Sequence, residues 1–170
     1  MVDSQFTDRA LAFQVIEAAK MAQAGATKEE ILERAAYIRD HTKLYLGIVN
    51  LENLVKGGRL SKVSGMLGGL LNIKLLLQVK DGKLDIANKV RGMKAMKKIW
   101  LDIYEEMKQS GKIKSVGISH VHADEMVEDM KKHVGELFPV KDIVVRETVP
   151  IIATLSLIHI SEPTRRRGIS

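Results

Sequence analysis

The sequence predicts an α/β protein with a mixed sheet and flanking helices. Three observations carry that expectation. Segments with apolar residues at three-and-four spacing alternate with short apolar runs of strand length, from Leu44 through Val145. Asp81-Gly82 separates two such runs and tolerates the positive φ angles of a tight hairpin turn. Gly92 to Ser110 repeats Met93, Met96, Ile99, Trp100, Ile103, Tyr104 and Met107 on one helical face, and Gly111 ends it.

In chain order, the first helix is expected over Thr7 to Ala24. Ala10, Phe13, Val15, Ile16, Ala19 and Met21 lie near helical spacing, and Gly25 is its stop. Thr27-Lys28-Glu29-Glu30 is a capping-box signature, in which Thr27 accepts from the N3 amide and Glu30 reaches back. It opens a second helix, Thr27 to Asp40, with Ile31, Leu32, Ala35 and Ile38 inward. Leu44 to Val49 reads as a buried strand. A short helix follows from Leu51 and breaks at Gly57-Gly58, and another apolar helix begins at Ser61 or Lys62 and reaches Leu71. Leu75 to Lys80 and Lys83 to Val90 are the arms of the hairpin. Beyond the long helix, Lys112 to Ser119 is a strand with Ile113, Val116 and Ile118. Ala123 to Phe138 is a helix with Met126, Met130, Val134 and Leu137 on one face, and Ile143-Val144-Val145 is the last strand. Strand–helix–strand alternation implies parallel pairing, while the hairpin adds an antiparallel element.

Composition narrows the class. The chain has 170 residues, 45% hydrophobic and 28% charged, as in an ordinary globular protein. No run approaches the roughly 18–20 apolar residues of a membrane-spanning helix, and Met1-Val2-Asp3-Ser4-Gln5 lacks the basic and apolar segments of a secretory signal. The absence of cysteine excludes disulfides and thiolate metal sites and fits a reducing compartment, so a cytoplasmic location is expected. The formal charge of +6 raises the question of an acidic partner. Arg165, Arg166 and Arg167 against Glu162 supply a net +2 of it from the last residues, and many lysines sit beside Asp or Glu. A solvated mixed surface accounts for the rest better than nucleic-acid binding does.

Few residues suggest chemistry. His120-Val121-His122 could start a metal site, but it is two ligands short, and Asp124 or Glu125 reads more naturally as a helix cap. No HExxH, GxSxG, Walker A or GxGxxG pattern is present. Lys56-Gly57-Gly58-Arg59 can bring backbone amides and Arg59 toward an anion at a helix start; an exposed arginine in a plain helix–turn–helix joint fits the same spacing. Gly65, Met66, Leu67, Leu70 and Leu71 belong to a helix that is apolar almost all round, hence buried. Its glycines cost about 1 kcal/mol each relative to Ala, offset either by close packing or by an elongated apolar ligand.

Taken in order, several blocks resemble the DegV family of bacterial fatty-acid-binding proteins. These are Val2-Asp3-Ser4, Val15 to Lys20, Gly25 to Ile31, Leu51 to Leu60 with its Lys56-Gly57-Gly58-Arg59 core, Leu70 to Lys74, Asp81-Gly82-Lys83 and Lys89-Val90-Arg91-Gly92. The resemblance spans residues 1–154 and implies a two-domain α/β fold with a long-chain fatty acid between the domains. It implies a carrier that presents the acid to a fatty-acid kinase of the dihydroxyacetone-kinase type, which makes an acyl phosphate for phospholipid synthesis. The carrier itself is then not an enzyme and needs no cofactor or metal. On this reading Gly65, Met66, Leu67, Leu70 and Leu71 line the acyl tunnel and Arg59 lies near the ligand or the docking face. Lys89 and Arg91 contribute to the surface that docks the kinase.

The resemblance also sets limits. The chain is expected to enter near the end of the family's N-terminal domain and to hold most of the C-terminal one, truncated at both ends. Family members continue past the position of Thr154 as His-Thr-Gly-Pro-Gly, with the histidine near the bound carboxylate; here Leu155 follows, so the headgroup site is expected to be missing. Leu75 stands where a proline is usual. Leu155 to Arg165 resembles a translation of the mosaic-end adapter used in transposon-based sequencing libraries. Residues 155–170 are therefore expected to be a foreign or disordered tail, with no functional weight on His159 or Arg165 to Arg167. A natural strand over Leu155 to Ile160 is the competing reading. The competing function is a small-molecule hydrolase or transferase centred on His120 and His122.

Overall fold

Asp81 and Gly82 both take positive φ, 51° and 71°, and turn the chain back on itself as the pair was expected to. The strands they join are β2 (Ile73–Lys80) and β3 (Lys83–Arg91), antiparallel with a bulge between Leu76 and Leu77. The computed structural model describes residues 1–51, 72–110, 113–121, 123–137, 143–148 and 157–163, the last as backbone. Within them lie α1 (Asp8–Gln23), α2 (Lys28–Asp40), β1 (Thr42–Ile48), β2, β3 and α3 (Met93–Gln109). There follow β4 (Val116–His120), α4 (Asp124–Leu137), β5 (Ile143–Glu147) and β6 (Leu157–Pro163).

The six strands form one sheet in the order β3-β2-β1-β6-β4-β5. Only β4 and β5, joined through α4, run parallel; every other neighbouring pair is antiparallel. The expected mixed sheet is present. The helices expected from Leu51 and up to Leu71 lie outside the described residues.

Residues 157–163, within the stretch expected to be a foreign or disordered tail, form the strand β6. Without a strand between them β1 and β4 would leave N–H and C=O groups unpaired in the sheet interior, where backbone groups must be paired. An extended segment rich in Leu and Ile satisfies both edges at once.

Alternation along the strands splits the core into two layers. Tyr45, Leu76, Val116 and Ile118 meet Met96, Trp100, Ile103 and Met107 of α3 and Val127, Met130 and Val134 of α4. The long helix therefore buries the stripe expected of it, although Met93 at its start is exposed. Leu44, Leu46, Ile48, Leu51, Ile73, Leu75 and Leu77 form the other layer with Ala10 of α1. Gly47 lets α3 approach the sheet: a Cβ there would sit 2.8 Å from Trp100 Cζ2 and 2.9 Å from Met96 Cε.

The α1–α2 pair is set by polar contacts as well as by packing. Thr27 and Glu30 form the capping box, with Thr27 N donating to Glu30 Oε2 at 2.7 Å and Glu30 N donating to Thr27 Oγ1 at 3.3 Å. Arg34 donates to Glu17 Oε1 from Nε and a terminal nitrogen at 3.1 and 2.9 Å, and Lys114 Nζ lies 3.4 Å from the same oxygen. Burial pushes the Glu17 carboxyl up, but Arg34 and Lys114 together outweigh it and hold the group below its usual range. The expected stripe of α1 is not uniformly inward. Ala10 is buried, whereas Leu11, Val15 and Ile16 face solvent, as does Leu32 of α2.

Candidate functional site

Three sequence blocks far apart in the chain meet at one corner of the sheet. The chain leaving β1 passes Val49 and buries Leu51 in the second apolar layer beside Ile73. Lys74 Nζ donates to the Val49 carbonyl at 2.5 Å and fixes that exit against the start of β2. Gly92 N donates to the Asn72 carbonyl at 2.8 Å, so the end of β3 is tied to the beginning of β2. Asn72 and Gly92 both have positive φ, 65° and 82°, a conformation that Asn tolerates and Gly adopts freely. Two residues with permissive backbones thus let two strands end at the same place.

Lys89 and Arg91 are exposed on β3, which is an edge strand. Their register partners are Leu75 and Ile73, so both cations lie on the side of the sheet that carries the second apolar layer. The structure therefore brings together two of the expected site residues beside an apolar wall. Arg59, Gly65, Met66, Leu67, Leu70 and Leu71 lie outside the described residues. Their flanks, Leu51 and Asn72, both stand at this corner.

Sequence reasoning missed Lys74 and Asn72 as organisers of the corner. An Asn preceding a strand is a readable hint of a left-handed residue, but the Lys74–Val49 contact spans 25 positions and has no local signature. The substitution Leu75, where the family resemblance leads one to expect proline, is accommodated: Leu75 is buried and paired within β2.

Of the histidine pair, the described residues hold His120 alone. His120 ends β4 with 6% exposure, and its Nδ1 lies 3.8 Å from Asp124 Oδ1, beyond hydrogen-bond distance. His122 lies outside the described residues. Among the described residues no group of three His, Cys, Asp or Glu side chains could hold a metal ion. No helix among them is long and apolar enough to cross a membrane.

Comparison with known proteins gives this geometry a context. Residues 1–156 match the profile of the family described as uncharacterised proteins of the DegV family. A DegV domain-containing protein of Streptococcus pneumoniae serotype 4 is 46% identical over 154 residues, covering 91% of this chain and 54% of the relative. The protein YejH of Lactococcus lactis is 43% identical over 155 residues, covering 91% and 55%. The chain thus spans about half the length of the curated relatives it matches. A fatty acid binding DegV family protein from Streptococcus agalactiae superposes with a TM-score of 0.82 at 25% identity, over 97% of this chain and 60% of that one. The fatty acid kinase B3 protein of S. pneumoniae, solved with linoleic acid, superposes with a TM-score of 0.79 at 24% identity, over 95% and 58%. The latter likeness speaks to the fold alone.

Proposed function

Since the chain belongs to the DegV family, we propose that its parent protein binds a long-chain fatty acid and presents it to a fatty-acid kinase of the dihydroxyacetone-kinase type. The carrier positions the carboxylate, and the kinase performs the phosphoryl transfer. The observation that carries this reading is the corner itself, where Lys89 and Arg91 stand on the same side of the sheet as the apolar layer of Leu75, Ile73 and Leu51. The layer offers a fatty acid an apolar wall worth roughly 0.8 kcal/mol per buried methylene, and the two exposed cations beside it offer a charged face on which the kinase docks.

On this proposal Gly65, Met66, Leu67, Leu70 and Leu71 continue the apolar wall and Arg59 stands near the headgroup or the docking face. Lys89 and Arg91 meet the kinase. The exposed apolar residues of α1, Leu11, Val15 and Ile16, are then the side presented to the remainder of the parent protein. Residues 155–170 are read as foreign to the parent, and the carboxylate-site histidine expected after Thr154 as replaced by Leu155.

The test is direct. The full-length parent, purified from bacteria and extracted into organic solvent, should release about one fatty acid per protein by mass spectrometry. The double variant Lys89→Glu/Arg91→Glu should retain its acid but lose most of its turnover with the kinase. An empty parent with no acid-dependent rise in melting temperature would overturn the carrier reading; unchanged turnover in the variant would overturn the docking assignment alone. The 170-residue chain by itself should hold no fatty acid, and submicromolar palmitate binding by it would contradict the missing headgroup site.

A further inference from the structure

We propose that the end of β4 beneath the N-terminus of α1 is a binding site for a phosphate group, formed by Arg9, Ser119, Arg146 and Thr148. Register places these residues together. A Cβ on Gly117 would meet Arg9 Cβ at 2.7 Å and Phe13 Cζ at 3.2 Å, so Gly117 faces α1. Val116 and Ile118 pack in the other layer, and Ser119 therefore shares the α1 face with Gly117. On β5, Val144 stands opposite Gly117 and Arg146 opposite Ser119. Thr148 N continues the ladder by donating to the His120 carbonyl at 3.0 Å, so Arg146 and Thr148 lie on that face too. α1 runs against β4: Arg9 lies over Gly117, whereas Glu17, further along the helix, reaches Lys114, which precedes the strand. The N-terminus of α1 thus opens toward Ser119 and Thr148.

What these groups lack identifies the ligand. Ser119 is 0% exposed, and its Oγ has no hydrogen-bond partner among the described residues. Thr148 Oγ1 and Arg9 Nε are buried without one as well. Buried polar groups are ordinarily hydrogen-bonded, and three donors left unpaired at one end of one sheet face call for a common acceptor. Thr7 caps α1 without a side-chain bond, and the first bond within the helix runs from Leu11 N to the Thr7 carbonyl. The amides ahead of it have no acceptor inside the helix and favour an anion. Arg146 Nη1 donates to the Val145 carbonyl at 3.2 Å, which uses one donor of its fork. The Asp8 carboxylate opposes an anion here, but its Oδ1 stands 4.0 Å from Arg9 Nε, too far to satisfy it.

A tetrahedral oxyanion, with more oxygens and more charge, matches two guanidinium groups, two hydroxyls and helix amides better than a planar carboxylate does. Its source is of two kinds. β1 and β4 both pair antiparallel with β6 and so run the same way, which puts the corner beyond β1 at the same end of the sheet as Ser119. It is also on the same side, since Ala10 of α1 joins the second apolar layer. A phosphate carried on an apolar chain is therefore one source, and the free ion is the other. The site itself does not rest on the fatty-acid reading.

The experiment titrates the full 170-residue chain with inorganic phosphate and with hexyl phosphate, by calorimetry and by melting temperature, at constant ionic strength. Phosphate should bind saturably and raise the melting temperature where chloride and acetate do not. Arg9→Gln, Ser119→Ala and Thr148→Val should each weaken binding about tenfold, and Asp8→Asn should tighten it by removing the opposing charge. Tighter binding of hexyl phosphate assigns the chain-borne group and equal binding the free ion; both support the site. Ordered water at this place instead predicts no phosphate-specific response, and that result overturns the proposal. Undiminished binding in both Ser119→Ala and Thr148→Val would overturn it as well. The stem of Arg9 packs on Gly117, so should Arg9→Gln fail to fold, those two variants, which nearly keep the side-chain shape, decide.

Discussion

At Gly47 a single hydrogen in place of a methyl group sets how closely α3 can approach the sheet. The nearest atoms to an added Cβ belong to the Trp100 ring, which cannot bend aside, and to Met96, whose end can. Gly47→Ala should therefore destabilise the protein by about 1–3 kcal/mol, read as a shift of the urea midpoint with little change in slope. Glu17 makes a second residue-scale prediction. Its carboxyl is pushed up by burial but is held below its usual range by Arg34 and Lys114. A depressed folded-state value adds stability above the unfolded carboxylate range and loses it as pH falls through the folded value. Glu17→Gln should cost a few tenths to about 1 kcal/mol at neutral pH, given partial exposure. That difference should shrink in urea titrations as pH falls from about 4.3. Local chemistry of this kind was partly readable: the Thr27–Glu30 box is written in four consecutive residues. The Gly47–Trp100 contact was not, because nothing in a strand glycine says which distant ring will face it.

At the scale of elements, the strongest local signals were the dependable ones. The Asp81-Gly82 turn and the periodic stripe of α3 agree with the structure because each is decided within a few residues. Replacing Gly82 with Ala should cost about 1–2 kcal/mol, since a side chain at φ 71° is strained wherever it points. Thr27→Ala should cost about 1 kcal/mol by removing the acceptor for the Glu30 amide, and differential scanning calorimetry of both variants would check the pair. The stripe of α1 was over-read: Val15 and Ile16 have helical spacing yet face solvent, because periodicity reports an amphipathic helix and not what covers it. β6 was legible only as one of two readings, because Leu155 to Ile160 satisfies a strand while the longer stretch Leu155 to Arg165 resembles an adapter.

Across the whole molecule, the mixed sheet was legible from element order, but the strand order was not, since pairing β1 with β6 joins residues more than a hundred positions apart. The candidate site was legible as separate blocks, Asn72 to Lys74 and Lys89 to Gly92, and illegible as a corner. Their convergence depends on the Gly92–Asn72 bond and on Lys74 reaching Val49. Lys74→Met in the full-length parent should therefore reduce retained fatty acid several-fold by loosening that exit, measured by extraction and mass spectrometry; unchanged retention would remove Lys74 from the site. The place of β6 has a further consequence, for the newborn chain. That side of β1 must wait for the segment that takes the place of β6, whichever it is in the parent, to leave the ribosome more than a hundred residues later, an interval of about 5–20 s at ordinary synthesis rates of roughly 5–20 residues/s. During that time β1 offers an apolar open edge to every other nascent chain nearby. Chaperone demand should accordingly peak in the middle of translation and fall once the last strand docks.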